Sequence, residues 1–538
     1  MSLFKSAATI SGLTLLSRIS GLARDVVIAR TFGSNALTDA FWVAFRIPNL
    51  LRRLFAEGAF SQAFVPILGA HKEKYSANEV KTLVDHVTLV LASVLLLVSI
   101  LGAIFAPVVV WIMATGMEHS QDSHSPFASA VWMTRVMFPY IFCMSLVALA
   151  SGVLNTWRKF AIPAFTPILL NLSMIASCFL WVDYFSEPIY ALAVGVMIGG
   201  VLQLLVQWLA LHKIGMLPRP HLRLKSAWSN PYVRRIIKQM GPATLGVSVA
   251  QISILINTNI ATWLPDGSVS WLSFADRLME FPTALLGVAL GTVLLPSLSA
   301  AYARDDKQQY SHLMDWGLRL VFILGLPCML GLALLGNGLV ATLFNYGAFK
   351  AQDVAQTQTA VFAYGFGLLG ILSVKILAPG FYAKQDIRTP VKIAIFVLLC
   401  TQLMNLLFVP LFKHAGLALS IGLGATLNAL CLYRGLRKRQ IYLPSASWLR
   451  FFMQIIPALL AMAVWLWWCG QHIVWTQEAH HGWLWQLSAQ WHYFGSLNFV
   501  IWRLLLLFAV IVSSAVLYFI VMSFCGIKAK DLLRRQSR

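Results

Sequence analysis

Charge is scarce in this chain. Only 11% of its 538 residues are Asp, Glu, Lys or Arg, against 59% hydrophobic, whereas a soluble domain carries about 25% charged residues. That shortage excludes an ordinary water-soluble fold. Polar–apolar alternation is missing too. The apolar residues come in continuous runs, which excludes a transmembrane β-barrel and suits helices crossing a hydrocarbon core about 30 Å thick. The seven cysteines (Cys143, Cys178, Cys328, Cys400, Cys431, Cys469 and Cys525) include no C-x-x-C pair and read as small hydrophobes packed among helices. There is no P-loop, so the chain is not expected to hydrolyse ATP. No loop is long enough for a separate catalytic domain, and "RDDK" (304–307) reads as a solvated charge run. An enzyme is therefore not expected, nor is a cofactor. The start, "MSLFKSAATISGLTLL", lacks a small-residue cleavage site and reads as the entry to a first span.

What is there is an all-α polytopic membrane protein with about 14 transmembrane helices. The expected spans are roughly 8–33, 38–68, 80–114, 128–155, 160–182, 188–211, 239–263, 268–300, 315–336, 354–382, 390–411, 415–434, 447–470 and 499–525. The formal net charge is +21, which in a soluble protein would suggest nucleic acid. Here the cations follow topology instead. One alternate set of loops holds "HKEK" (71–74), Arg158 with Lys159, 212–238, 304–307, Lys384 with Arg388, "RKR" (437–439) and the tail from Lys528. The other set holds only Lys350 and Lys413 as Lys or Arg. The positive-inside rule then places both termini in the cytoplasm. The second set includes 471–498, whose histidines lack zinc spacing. Trp485 and Trp491 there read as interface anchors.

The segment 212–238 carries seven Lys or Arg and no acid, and reads as a cytoplasmic linker against the anionic leaflet. The chain repeats itself around it. "AFVPILGA" (63–70) matches "VLLPSLSA" (293–300), and "SGVLNTWRKFAIP" (151–163) resembles "PGFYAKQDIRTP" (379–390). "LAVGVMIGGVLQLL" (192–205) resembles "LALSIGLGATLNAL" (417–430). The shifts are 230, 228 and 225. The expected organisation is a six-helix lobe (1–211), the linker (212–238), a second six-helix lobe (239–440) and an added helix pair with a basic tail (441–538). An even number of helices separates the halves, so they form a parallel repeat, as in known transporters.

Several spans are charged. Span one holds Arg18, Arg24, Asp25 and Arg30. Span two, "TDAFWVAFRIPNLLRRLFAEGAFSQAFVP" (38–66), holds Asp39, Arg46, Arg52, Arg53 and Glu57. A central arginine costs about 2.5–3.5 kcal/mol on translocon scales, so such residues face a cavity or a partner. Asp39, Arg46 and Arg53 are spaced by seven, and Glu57 continues their stripe. Arg52 lies about 100° away from Arg53 on the helix. Cross-bracing between helices is the plain structural reading. Against it, six arginines face three acids in these two spans, a surplus that points to an anionic ligand. Span eight adds Asp276, Arg277 and Glu280, with Arg277 and Glu280 at pairing distance along a helix. Lys375 either lines a cavity or pairs structurally. Asn171 and other in-span amides read as interhelical hydrogen-bonding groups.

"SRISGLARD" (17–25), the span-two stretch, "FADRLMEFP" (274–282) and "LAPGFYAKQDIRTPVKI" (377–393) resemble the MviN/MurJ family of lipid II flippases in the MOP exporter superfamily. The likeness runs over nearly the whole chain. It implies two six-helix lobes forming a V around a central cationic cavity, with spans 13 and 14 bounding a groove for a lipid tail. It implies undecaprenyl-pyrophosphate-linked peptidoglycan precursor as substrate, in the bacterial inner membrane. The family's essential arginines fall on Arg18, Arg24, Arg52 and Arg277. Asp25 and Asp39 would orient them, with Arg46, Arg53, Glu57, Asp276, Glu280 and Lys375 as supporting or gating groups. Membrane lipids and cell-wall synthesis proteins follow as partners, with no nucleic acid. A flippase for O-antigen or another polyprenyl-pyrophosphate glycan, or another exporter of this superfamily, is the alternative. Membrane potential, sodium and protons all stand as driving forces.

Overall fold

The computed structural model describes residues 3–51, 53, 60–119, 125–219, 224–476 and 497–527. Within them the regular structure is helical. The chain divides into two compact units, Met1–Ser270 and Trp271–Arg538.

The first unit opens with α1 (Leu3–Phe32), α2 (Ala36–Leu51), α3 (Ser61–Lys74), α4 (Ala77–Ile104) and α5 (Ala106–Met113). It continues through α6 (Pro126–Met137), α7 (Tyr140–Thr156), α8 (Ala161–Leu180), α9 (Tyr190–Lys213), the short α10 (Leu224–Ser229) and α11 (Pro231–Thr262). Helix α12 (Ser268–Ala303) leads into the second unit, which holds α13 (Lys307–Leu334), α14 (Gly336–Phe344), α15 (Ala351–Tyr382), α16 (Arg388–Lys438), α17 (Trp448–His472) and α18 (Leu497–Phe524).

Local chemistry sets several of these boundaries. Gly33 follows α1 at φ 68°, a left-handed conformation that only glycine adopts without strain. Ser76 and Glu79 close a capping box at the start of α4, which satisfies amides that the first turn leaves bare. Asn230 caps α11 ahead of Pro231, the residue best suited to a first helical position. The 51 residues of α16 contain two expected spans, parted at Lys413, whose backbone is non-helical (φ 52°, ψ −128°).

Nine helices among the described residues are long and apolar enough to cross a membrane. The merged α16 supplies two expected spans within one of them. Helix α1 has the length for a span, with 30 residues, but Arg18, Arg24, Asp25 and Arg30 keep it out of that set. The outward surface is apolar: Leu97, Ile104, Leu406, Leu411, Leu449 and Phe508 are each more than half exposed. So much exposed apolar surface is stable only against lipid. The chain is a multi-pass membrane protein.

Inside each unit, small residues let backbones meet, as membrane helices require in the absence of a hydrophobic drive. A Cβ at Gly199 on α9 would lie 2.9 Å from the Leu170 Cα on α8. Gly424, 225 positions on, sits 2.4 Å by the same measure from the Thr401 hydroxyl in the preceding half of α16. Each of these two glycines thus lies where a neighbouring helix passes close to the backbone.

Candidate functional site

The charged residues of α1 are the natural starting point. Arg24 and Asp25 are 6% and 2% exposed, so this ion pair lies in the interior of the unit. Arg24 donates through Nε and Nη2 to the Asp25 Oδ1, at 2.9 and 2.7 Å. Its Nη1 donates to the Asn171 Oδ1 on α8 at 3.0 Å. The Asn171 amide nitrogen then returns to α1, donating to the Ser17 carbonyl at 3.1 Å and the Ser20 hydroxyl at 2.9 Å. A buried arginine must satisfy its fixed fork of donors, and this network holds the guanidinium in one orientation. Asp25 pairs directly with Arg24. Asn171 does more than the generic interhelical bonding expected of it. Its apolar setting, "ILLNLSM" (168–174), was the only signal. Arg18, one to two turns earlier on α1, is half-buried, and Arg30 is exposed.

Helix α2 follows the sevenfold spacing for as far as it is described. Asp39 and Arg46 both reach the segment 258–270 of the same unit. Arg46 donates to the Thr258 hydroxyl on α11 at 2.5 Å. Asp39 departs from expectation. Its carboxylate accepts from the Gly267 amide (2.8 Å), the Ser270 amide (2.7 Å) and the Ser270 hydroxyl (2.6 Å). These groups lie at the start of α12. First-turn amides have no intrahelical acceptor, and the helix dipole attracts negative charge there. The carboxylate therefore serves as a cap supplied from another helix, rather than orienting an arginine through these bonds. Arg53 is exposed. Arg52 and Glu57 lie outside the described residues.

In the second unit, Arg277 donates to Glu280 at 2.6 Å along α12. That pair is 25% and 47% exposed, so solvent screens it. Asp276 is exposed, and so is Lys375 on α15. No salt bridge engages Lys375 among the described residues. Chemically, the first unit provides a buried, fixed guanidinium at Arg24 and half-buried cations at Arg18 and Arg46, and the second unit a half-buried cation at Arg277; no cluster of metal-ligating side chains occurs among the described residues. Guanidinium groups of this kind pair with anions.

Sequence reasoning also passed over buried charges in the second unit. Asp315 on α13 and Arg503 on α18 are 8% and 0% exposed. Arg503 stands alone in the run "FVIWRLLLLF" (499–508), and that isolation was the available signal.

Comparison with known proteins gives a consistent result. The family model described as Lipid II flippase MurJ matches residues 28–481. The chain is 56% identical over 476 residues to a protein of Burkholderia cenocepacia named Lipid II flippase MurJ, covering 88% of this chain and 92% of that one. It is 41% identical over 466 residues to a Haemophilus influenzae protein named Probable lipid II flippase MurJ, covering 85% and 90%. Among solved structures, "Lipid II flippase MurJ, inward closed conformation" superposes with a TM-score of 0.76 at 23% identity, covering 98% of this chain and 99% of that one. An inward-facing MATE-family multidrug transporter of the MOP superfamily superposes with a TM-score of 0.68 at 13% identity, covering 81% and 98%. At these identities the two structures speak to the fold.

Proposed function

Since the chain belongs to the lipid II flippase MurJ family, we propose that it moves lipid II, the undecaprenyl-pyrophosphate-linked peptidoglycan precursor, from the cytoplasmic to the periplasmic leaflet of the bacterial inner membrane. The observation that carries this reading is the 56% identity to a protein named Lipid II flippase MurJ over 92% of that protein's length. It is a transporter and not an enzyme.

The physical problem it solves is a partition problem. A pyrophosphate and its sugars cannot enter hydrocarbon, while the polyprenyl tail is at home there. Cations in a low-dielectric path stabilise the diphosphate, and arginine offers planar, paired donors that stay charged. In this proposal Arg18, Arg24, Arg52 and Arg277 engage the diphosphate, and the protein exposes it to the two sides alternately. Asp25 and Asn171 keep the Arg24 fork aimed. Asp39 and Arg46 brace α2, with Arg53, Glu57, Asp276, Glu280 and Lys375 as supporting charges. Both termini are proposed to be cytoplasmic. Proteins of cell-wall synthesis are proposed to work beside it.

The test is depletion in cells followed by an assay of lipid II accessible from outside. Accumulation on the inner leaflet is expected. An unchanged distribution overturns the reading.

A further inference from the structure

Helices α17 and α18 follow the two repeated halves as an appended pair, joined to each other by the Trp465 indole donating to the Ser513 hydroxyl at 3.0 Å. Helices in lipid gain nothing from hiding apolar surface from water, so an appended pair needs directional bonds to hold a fixed place. The structure supplies them at both ends.

At the end where α13 begins, Asp315 is the hub. It accepts from the Tyr442 hydroxyl at 2.8 Å, the Trp448 indole at 2.6 Å, the Ser445 hydroxyl at 3.1 Å and the Arg319 Nε at 2.9 Å. Arg319 donates onward to the Ser445 and Ser447 hydroxyls, each at 2.6 Å. One carboxylate on α13 thus collects the segment leading into α17 and the first residue of α17 itself.

At the opposite end, Arg503 of α18 is fully buried. It donates to the Trp475 carbonyl just past α17 at 3.0 Å and to the Asn345 carbonyl just past α14 at 3.4 Å. Its guanidinium lies over the Tyr346 ring at 4.7 Å and the Phe499 ring at 5.1 Å. Between the two ends, the buried Tyr518 hydroxyl donates to the Ile323 carbonyl of α13 at 2.8 Å. At about 1.5 Å per residue, Asp315 and the far end of α13 at Leu334 are roughly 28 Å apart. The attachments therefore brace the pair near both ends of α13.

A swing of α17 and α18 against α13 and α14 would break the Asp315 bonds to Tyr442, Ser445 and Trp448 and the Arg503 bond to Asn345, leaving Asp315 with Arg319 and Arg503 with Trp475, a costly loss for buried charged groups. We infer that Asp315 and Arg503 are positioning residues that make α13, α14, α17 and α18 one rigid body through the transport cycle. This rests on the flippase reading only for the word transport. The rigidity itself is read separately.

The experiment uses full-length protein in liposomes, with its seven cysteines replaced and flipping retained. Spin-label pairs are placed at Gln309 with Arg450 and at Lys350 with His472, all exposed. Both distances should be the same with and without lipid II, and with and without a membrane potential. In the double variant Asp315→Ala with Arg503→Met, both distributions should broaden and flipping should fall roughly tenfold or more. Movement of either pair on loading overturns the inference, even if the variant fails to fold. An unbroadened variant, or a broadened one that flips normally, also overturns it. Failure of the flippase reading would show differently, as wild-type protein that does not flip lipid II.

Discussion

Replacing Arg24 with Ala tests the buried site most directly. The substitution removes the two bonds Arg24 donates to Asp25 and the one it donates to Asn171. Asp25 is 2% exposed, so water cannot readily replace the guanidinium. Removing one partner of a buried ion pair costs about 3–5 kcal/mol. Arg24→Ala should therefore lose transport and a good part of its stability together, so that variant alone cannot separate binding from folding. The double variant Arg24→Ala, Asp25→Asn removes the buried carboxylate charge along with the guanidinium that donates to it. A neutral buried amide costs about 1–3 kcal/mol if unsatisfied, so most of the stability should return. Flipping should not return, because the cation proposed to engage the diphosphate is still missing. The assay pairs thermal unfolding in detergent with lipid II flipping in liposomes. Two results refute the reasoning: Arg24→Ala with wild-type stability, or the double variant flipping at the wild-type rate.

Two further outcomes follow from the same geometry. Asp39→Ala removes the acceptor for the Gly267 and Ser270 amides. Loss of a cap costs about 0.5–2 kcal/mol, so amide exchange at 267–270 should speed up by about 2- to 30-fold, while Asp39→Asn, which keeps an acceptor oxygen, should fall between. Asp386, in the turn between α15 and α16, titrates at about 2, chiefly because the Thr389 hydroxyl bonds its carboxylate, with help from the Thr389 amide and Arg439. Folding lowers this pKa, so its stabilisation is present above the unfolded value of about 3.9. That contribution is lost as pH falls from there through about 2. The Asp386–Arg439 pair is partly exposed, so solvent screens it and the effect is small. Asp386→Asn should flatten that part of a pH–stability profile, and an unchanged acid limb would refute the assignment.

The sequence by itself determined the class of this protein. Hydropathy is a property of each local stretch and its preference for lipid over water, so the spans were legible one at a time. The break in α16 was readable in the same way, because the Lys413–His414 pair interrupts an apolar run. The sevenfold spacing put Asp39 and Arg46 on one face, which helical geometry alone requires. Asp25 beside Arg24 was visible as an adjacent pair.

Only the tertiary structure decided which buried polar group answers which. Asn171 meets Arg24 across 147 residues, Asp39 meets Ser270 across 231, and Asp315 meets Tyr442 across 127. Nothing in a local window distinguishes an aspartate that aims an arginine from one that caps a distant helix. In lipid an unsatisfied polar group is expensive, and packing of the whole unit determines which partner lies within reach.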